Sequence, residues 1–380
     1  MRIPKYIEFI CSALEDAGFP SYAVGGCIRD LLLGKVPQDY DVASAAWPRD
    51  VKAIFPKTID TGLSHGTVTV ILPEGKAEVT TFRRDGEYTD RRRPDRVSFV
   101  TDIEEDLARR DFTVNAMAFS PSRGFYDPFD GRIDMEREVL RTVGKPEKRF
   151  TEDALRILRL FRFSAQLSFR IEEETAVAAY SLADSLTFLS RERIFSETDK
   201  LLHYADAAQL SAAVPVLSIV MPEVDFSEEI VQKTADCASR AGKWARLCGE
   251  KAGEILKRLH APRALILSAA ELASYKKGQH IVSDVASLRH TETETFFDFL
   301  NEEESRSAWE DAKKNGVPMQ IGELCIDGSE LERMGFRGRE IGILLQNLFA
   351  YAIENPANNN KERLREVATW MYRQKYLQKE

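Results

Sequence analysis

The chain has 380 residues, with 53 Lys and Arg against 61 Asp and Glu, a formal charge of −8 at pH 7. That length exceeds what one hydrophobic core organises, so two or more packed units are expected. No apolar run approaches the roughly 18 residues of a membrane span, and the acidic balance confines any nucleic-acid binding to a local basic surface. The opening stretch, MRIPKYIEFICSALEDAGF, reads as an amphipathic first helix. It carries acidic residues and no small-residue cleavage site, so secretion is not expected. Short β-branched runs punctuated by Gly and Pro follow to about residue 140. Strands are expected at Ser21 to Val24, Tyr40 to Ala43, Thr58 to Asp60, Thr67 to Leu72, Ala77 to Phe82 and Phe112 to Phe119. After Glu147 apolar residues recur at threes and fours and strand signals vanish, with breaks near Pro215, Pro222 and Pro318. The fold class is therefore α+β, a small mixed head followed by a long helical remainder.

Five cysteines, Cys11, Cys27, Cys237, Cys248 and Cys325, are scattered and never two or three apart. That excludes a disulfide framework or a zinc knuckle and fits thiols in a reducing cytoplasm. The five histidines form no HExxH, so histidine-based metal hydrolysis has no support. Charge is uneven: residues 141–170 carry eight Lys and Arg against three Asp and Glu, and residues 361–380 carry six against three. Basic segments thus lie in the middle and at the end of an acidic chain.

The densest chemistry is YAVGGCIRDLLLGKVPQDYDVAS. Gly25 and Gly26 at a strand-to-helix turn let backbone N–H groups approach an anion, and Arg29 adds a planar cation suited to phosphate. Asp39 and Asp41 sit two apart in an expected strand, which turns both carboxylates to one face and Tyr40 into the core. Two same-face carboxylates repel unless neutralised, and Mg²⁺ is a hard, oxygen-seeking partner for such a pair. A DxD alone also suits a turn; preceded by GGxxRD it points to metal-dependent triphosphate chemistry.

GGCIRDLLLG…DYDVAS resembles motif A of the bacterial-type, class II tRNA nucleotidyltransferases, which sit with bacterial poly(A) polymerases in the DNA polymerase β superfamily. The resemblance recurs in order along the chain. Residues 109–117, RRDFTVNAM, look like the family's motif B, which implies that Arg110 contacts nucleotide while Asp111 and Asn115 shape a ribose pocket. A salt-bridged strand entry is the alternative for Asp111. The charged stretch at 83–97 implies the flexible loop that accompanies terminal adenosine addition, and Glu78 is a candidate third metal carboxylate.

TEDALRILRLFRF, read as one helix capped by Thr151, places Asp153, Arg156, Arg159 and Arg162 along an i+3 ridge. An exposed salt-bridging face is one reading of that pattern. The other is base selection: cytosine and adenine each present an amino donor beside a ring-nitrogen acceptor, which a carboxylate beside a guanidinium complements, whereas uracil and guanine present the reverse order. The segment resembles the family's motif D, EDxxR, with Arg159 and Arg162 left to orient the pair or reach the triphosphate. SRERIFSE at 190–197 looks like motif E, and residues 323–348, with Gly335 and Gly338, resemble the tail segment that holds tRNA.

The resemblance implies a polymerase β-like nucleotidyltransferase head at 1–140, a helical neck with a nucleotide-selecting helix at 141–204, a helical body at 205–315 and a helical tail at 316–380. It further implies a cytoplasmic enzyme that adds C, C and A to the tRNA 3′ end from CTP and ATP. Asp39 and Asp41 would be catalytic and bind Mg²⁺, and Gly26, Arg29, Arg110, Asp153, Arg156, Arg159 and Arg162 would bind nucleotide. Partners would be the 3′ end and acceptor stem of tRNA, with no membrane; the oligomeric state stays open. An A-adding or poly(A) polymerase shares these motifs, and a non-catalytic RNA-binding protein on the same scaffold is the reading from another class.

Overall fold

Short β-branched runs build the first part of the chain around a seven-stranded sheet, with two further strand pairs beside it. The computed structural model describes residues 2–85 and 97–377. Its strands are β1 (Ser21–Val24), β2 (Asp41–Ser44), β3 (Thr58–Gly62), β4 (Thr67–Leu72), β5 (Gly75–Thr81), β6 (Arg83–Asp85), β7 (Val97–Phe99), β8 (Ala118–Ser120), β9 (Gly124–Tyr126), β10 (Val139–Leu140) and β11 (Arg170–Ile171). Seven of them form a mixed sheet in the order β3-β4-β5-β2-β1-β8-β9. β2 runs antiparallel to β1, with Asp41 opposite Val24, and parallel to β5, with Asp41 opposite Glu78. Along β5 the buried Ala77, Val79 and Thr81 alternate with exposed Lys76 and Glu78, the period-2 pattern of a sheet with one covered face. Tyr22, Val24, Ala43, Phe82, Leu107 and Ala118 form a core against this sheet.

The helices of this part are α1 (Lys5–Asp16), α2 (Gly26–Leu32), α3 (Pro48–Ile54), α4 (Ile103–Ala108), α5 (Gly131–Glu136), α6 (Pro146–Glu152), α7 (Leu155–Leu167), α8 (Glu173–Ser181), α9 (Arg191–Tyr204) and α10 (Ala207–Val220). α1 is amphipathic as expected, burying Ile7, Ile10, Cys11 and Leu14 at i, i+3, i+4 and i+7. Chain contacts divide the protein into one unit ending at Phe226 and another beginning at Ser227. The second unit is helical. Val282, Leu331, Leu348 and Leu364 belong to its core, and the buried Glu330 is gripped by Arg333 at 3.3 Å, Lys361 at 3.1 Å and Arg365. Gly335 (φ 102°) follows the helix Gly328–Arg333 and Gly338 (φ 53°) precedes Arg339–Glu354, so both glycines stand at helix ends.

Four expectations are corrected. Phe112 to Phe119 is not one strand: a short 3₁₀ turn, Thr113–Asn115, precedes β8. Asp111 Oδ1 accepts the Phe112 N–H at 2.9 Å and the Asn115 amide at 3.1 Å, so local side-chain bonds compete with the ladder there. The helix expected from Thr151 onward is broken at Asp153, which is extended (φ −145°, ψ 105°), and Thr151 lies in the last turn of α6 with its hydroxyl donating to Glu147 O at 2.7 Å. Pro146 starts α6 instead, at the position where a missing N–H is harmless. Pro215 sits inside α10 without ending it, since the flanking Ala213, Val216 and Leu217 are buried and hold the helix by packing. Strand does not vanish after residue 147, because β11 pairs in parallel with β10. Of the loop expected at 83–97, residues 86–96 lie outside the described residues, and the flanking β6 and β7 pair antiparallel.

Candidate active site

β1 is followed by Gly25, whose φ of 78° and ψ of −133° no L side chain adopts without strain. A Cβ built there would lie 2.7 Å from Arg110 Nη1, so the space is taken by the Arg110 side chain as well. Gly25→Ala is therefore expected to cost about 1–3 kcal/mol in backbone strain, read as a lower unfolding midpoint, and to push Arg110 out of place. From Gly25 the chain turns into α2, whose Arg29 is 4% exposed. Arg29 donates through Nε and Nη2 to Asp30 Oδ1 at 2.9 and 2.7 Å and through Nη1 to Asn115 Oδ1 at 2.6 Å. Asn115 donates to Asp111, and Asp111 Oδ2 accepts from Arg159 Nε and Nη2 at 2.8 and 2.6 Å. One continuous hydrogen-bonded chain, Asp30–Arg29–Asn115–Asp111–Arg159, thus ties α2, the 3₁₀ turn and α7 together.

Burial alone would raise the Asp111 carboxyl; Arg159 and the Asn115 amide outweigh it and hold it well below the usual carboxylate range. Arg110 and Arg109 are fixed from the other side. Asp106 of α4, 1% exposed, accepts from Arg109 at 2.9 Å and from Arg110 at 3.1 Å.

Asp39 and Asp41 flank the buried Tyr40 and are both exposed, the alternation expected of them, although only Asp41 lies within β2. Asp41 touches water yet is walled in by protein on its other sides. That burial raises its carboxyl above the ordinary value, Arg110 opposes the rise, and Glu78 and Asp39 add to it. Three carboxylates thus share one electrostatic neighbourhood. Among the described residues, no group of three or more His, Cys, Asp and Glu side chains is arranged to hold a metal ion by itself.

On α7 each step of three residues turns the side chain by about −60°, so the arginines fan out to different partners. Arg156 donates to Glu152 at 2.8 Å and to the carbonyls of Arg149 and Arg109 at 3.0 and 2.9 Å. Arg159 goes to Asp111. Arg162 pairs with the buried Glu197 of α9 at 2.8 Å and lies 3.5 Å over the Phe163 ring. Arg29 and Arg159 approach the same ring at 5.2 and 5.1 Å, which makes Phe163 a shared cation–π platform. Asp153, between α6 and α7, accepts the Leu155 N–H at 3.1 Å and pairs with Arg193 of α9 at 2.8 Å.

Many of these groups line one cleft of about 680 Å³, with Asp30, Glu78, Asp106, Glu152 and Glu197 outside its wall. Asp39 and Asp41 are in its wall together with Gly26, Arg29, Arg110, Asp153, Arg156, Arg159 and Arg162, so these nine expected residues come together, while Glu78 stays outside the wall. It adds Arg109, Phe163, Gln166, Arg193 and Lys200, which sequence reasoning did not select. Eight cationic side chains against four carboxylates make the cleft a strong anion attractor in an acidic protein. Arg193, Glu197 and Lys200 stand at i, i+4 and i+7 of α9, a same-face spacing that could have been read from the sequence.

Residues 21–141 match the family described as the poly A polymerase head domain, and residues 168–213 match the probable RNA- and SrmB-binding site of polymerase A. Over 200 residues the chain is 52% identical to the CCA-adding enzyme of Leuconostoc mesenteroides, covering 53% of this chain and 50% of the relative. Over 250 residues it is 45% identical to that of Geobacillus stearothermophilus, covering 63% and 61%. The matched stretch thus spans about half to three fifths of these curated relatives. The crystal structure of the Bacillus stearothermophilus CCA-adding enzyme in complex with CTP superposes over 100% of both chains with a TM-score of 0.80 at 31% identity. The Thermotoga maritima CCA-adding enzyme, solved with tRNA, shares the fold with a TM-score of 0.72 at 21% identity. With a mixed-sheet head, a carboxylate pair and an arginine-lined cleft that coincide with these matches, the chain belongs to the CCA-adding enzyme family.

Proposed function

We propose that this protein is a template-independent nucleotidyltransferase that adds C, C and A to the 3′ end of tRNA from CTP and ATP with release of pyrophosphate. The observation that carries the reading is the single cleft that unites Asp39 and Asp41 with Asp153 and the arginines of α7, in a chain that aligns end to end with a relative solved with CTP. In the reaction the 3′ hydroxyl oxygen of the tRNA bonds to the α-phosphorus as the bond to the pyrophosphate oxygen breaks, and the hydroxyl proton leaves to solvent.

Two carboxylates on one side of a buried Tyr, with Glu78 opposite on β5, form an all-oxygen donor set too small to enclose an ion alone. That set fits Mg²⁺, which is typically held by one or two carboxylates with substrate phosphates and water completing the shell. Bound there, Mg²⁺ would supply positive charge for the triphosphate and acidify the attacking hydroxyl. Asp39 and Asp41 would hold it, Arg110 and Arg29 would face the phosphates beside Gly26, and Asp153 would accept the amino group of cytosine or adenine next to Arg156. Arg159 and Arg162, fixed by Asp111 and Glu197, would keep the cleft cationic and preorganised.

On this reading residues 1–140 are the catalytic head, 141–204 the nucleotide-selecting neck, 205–315 the body and 316–380 the tail that holds the acceptor stem through its backbone. No helix among the described residues is long and apolar enough to cross a membrane. The five free cysteines support a reducing compartment, the cytoplasm. Incubation of the purified protein with tRNA that ends before CCA, with CTP alone and then with ATP, tests the proposal. Two CMP additions followed by one AMP are expected. AMP incorporation without CMP would replace it with A-addition, and no incorporation at all would leave RNA binding.

A further inference from the structure

A carboxylate discriminates between bases only if its direction is fixed, because one that is turned away no longer presents its acceptor to the base edge. Asp153 occupies a part-buried position between two helices and belongs to neither, so no helix fixes it. Two contacts do. Oδ1 accepts the Leu155 N–H at 3.1 Å, and Oδ2 accepts from Arg193 Nη2 at 2.8 Å. The Arg193 and Asp153 side chains are 28% and 20% exposed, and both line the cleft. Each carboxylate oxygen keeps a further lone pair for a ligand.

We infer that Arg193 is a positioning residue for base choice, setting the discrimination of CTP against UTP through Asp153. The inference rests on Asp153 being the group that reads the base. A guanidinium is planar and always charged, so it holds the carboxylate by a directed, charge-assisted hydrogen bond and pins its rotation against the Leu155 N–H. An acceptor-only Asp153 takes the cytosine amino group and repels the uracil carbonyl at the same position. Released from Arg193, the carboxylate can rotate off the base edge, which withdraws both the acceptor for the cytosine amino group and the repulsion of the uracil carbonyl, and so admits UTP.

The test is single-nucleotide addition to tRNA lacking CCA, with kcat/KM measured for CTP and for UTP. In Arg193→Gln the CTP/UTP ratio is expected to fall about tenfold or more, the loss of one hydrogen bond between charged partners. Arg193→Lys, which keeps the charge without the planar fork, is expected to lose about two- to threefold. In an Asp153→Asn background neither substitution changes the ratio further. A residue that merely braces α9 would slow both nucleotides in proportion, so an unchanged ratio in whichever Arg193 variant melts cooperatively overturns the inference. The reading beneath it fails separately: no CMP addition by the unmodified protein refutes the proposed function, and a wild-type ratio in Asp153→Asn refutes base reading by Asp153 and the inference with it.

Discussion

Asp41→Asn is expected to reduce CMP addition by about 10³-fold or more, roughly 4 kcal/mol of transition-state stabilisation, while tRNA affinity stays within about twofold of the unmodified protein. The substitution keeps the shape of the side chain and the β2 ladder, in which Asp41 pairs through its backbone with Val24 and Glu78. It removes the charge that would hold Mg²⁺ and leaves the basic cleft intact. Equilibrium tRNA binding and single-turnover addition, measured on the same preparation, separate the two effects; loss of binding would sink the metal assignment. Stability should move the other way. Burial first, then Glu78 and Asp39 against the opposing Arg110, raise the Asp41 carboxyl above its ordinary value. A raised acid binds its proton more tightly folded than unfolded, so its ionisation destabilises the fold as pH rises through that range. Asp41→Asn removes this cost, and its unfolding midpoint at pH 7 should lie at or above that of the unmodified protein. The same raised carboxyl predicts an acid limb in the rate profile above the ordinary aspartate range, since the protonated acid cannot hold a cation.

The head was legible in the sequence wherever alternation was uninterrupted. Ser21–Val24 and Thr67–Leu72 are strands over the expected residues, the first buried at all four positions and the second burying Val68, Thr69 and Val70. Legibility failed where side chains bond to their own backbone. Asp111 and Asn115 convert an apolar run into a turn, and Asp153 interrupts a helix whose periodicity passes through it unbroken. These two interruptions fall at the candidate site, where local propensity and site geometry are at odds, whereas the helix through Pro215 and the strand β11 lie away from it. The nine expected site residues reach one cleft because glycines, DxD and arginine spacing carry chemistry that can be read without a fold. In the sequence Arg193 and Glu197 stand out only as members of SRERIFSE. Their partners, Asp153 and Arg162, lie 40 and 35 residues away, and no local pattern encodes a contact at that separation.

Asp111→Asn is expected to have the largest effect on stability. Asp111 is 8% exposed, and its two oxygens hold the Phe112 N–H, the Asn115 amide and both Nε and Nη2 of Arg159. An amide keeps the volume but removes the charge and puts a donor where acceptors are needed, leaving Arg159 without its close counter-ion in the cleft wall. Breaking one side of such a pair costs about 3–5 kcal/mol, which for a unit of this size lowers the melting midpoint by roughly 6–20 °C. The pH dependence supplies an independent reading. Asp111 is held below the usual carboxylate range in the fold, so its contribution is complete above the unfolded value of about 3.9 and is lost as pH falls below it. Unmodified protein should therefore lose stability between pH 5 and about pH 3 more steeply than Asp111→Asn does. The companion Asp111→Asn/Arg159→Gln should recover part of the loss, because the heavier cost is the unpaired guanidinium rather than the missing attraction. If the double variant proves less stable than Asp111→Asn by the full cost of a second substitution, Arg159 is held by Glu197 and the Phe163 ring, and Asp111 serves the Asn115 turn instead.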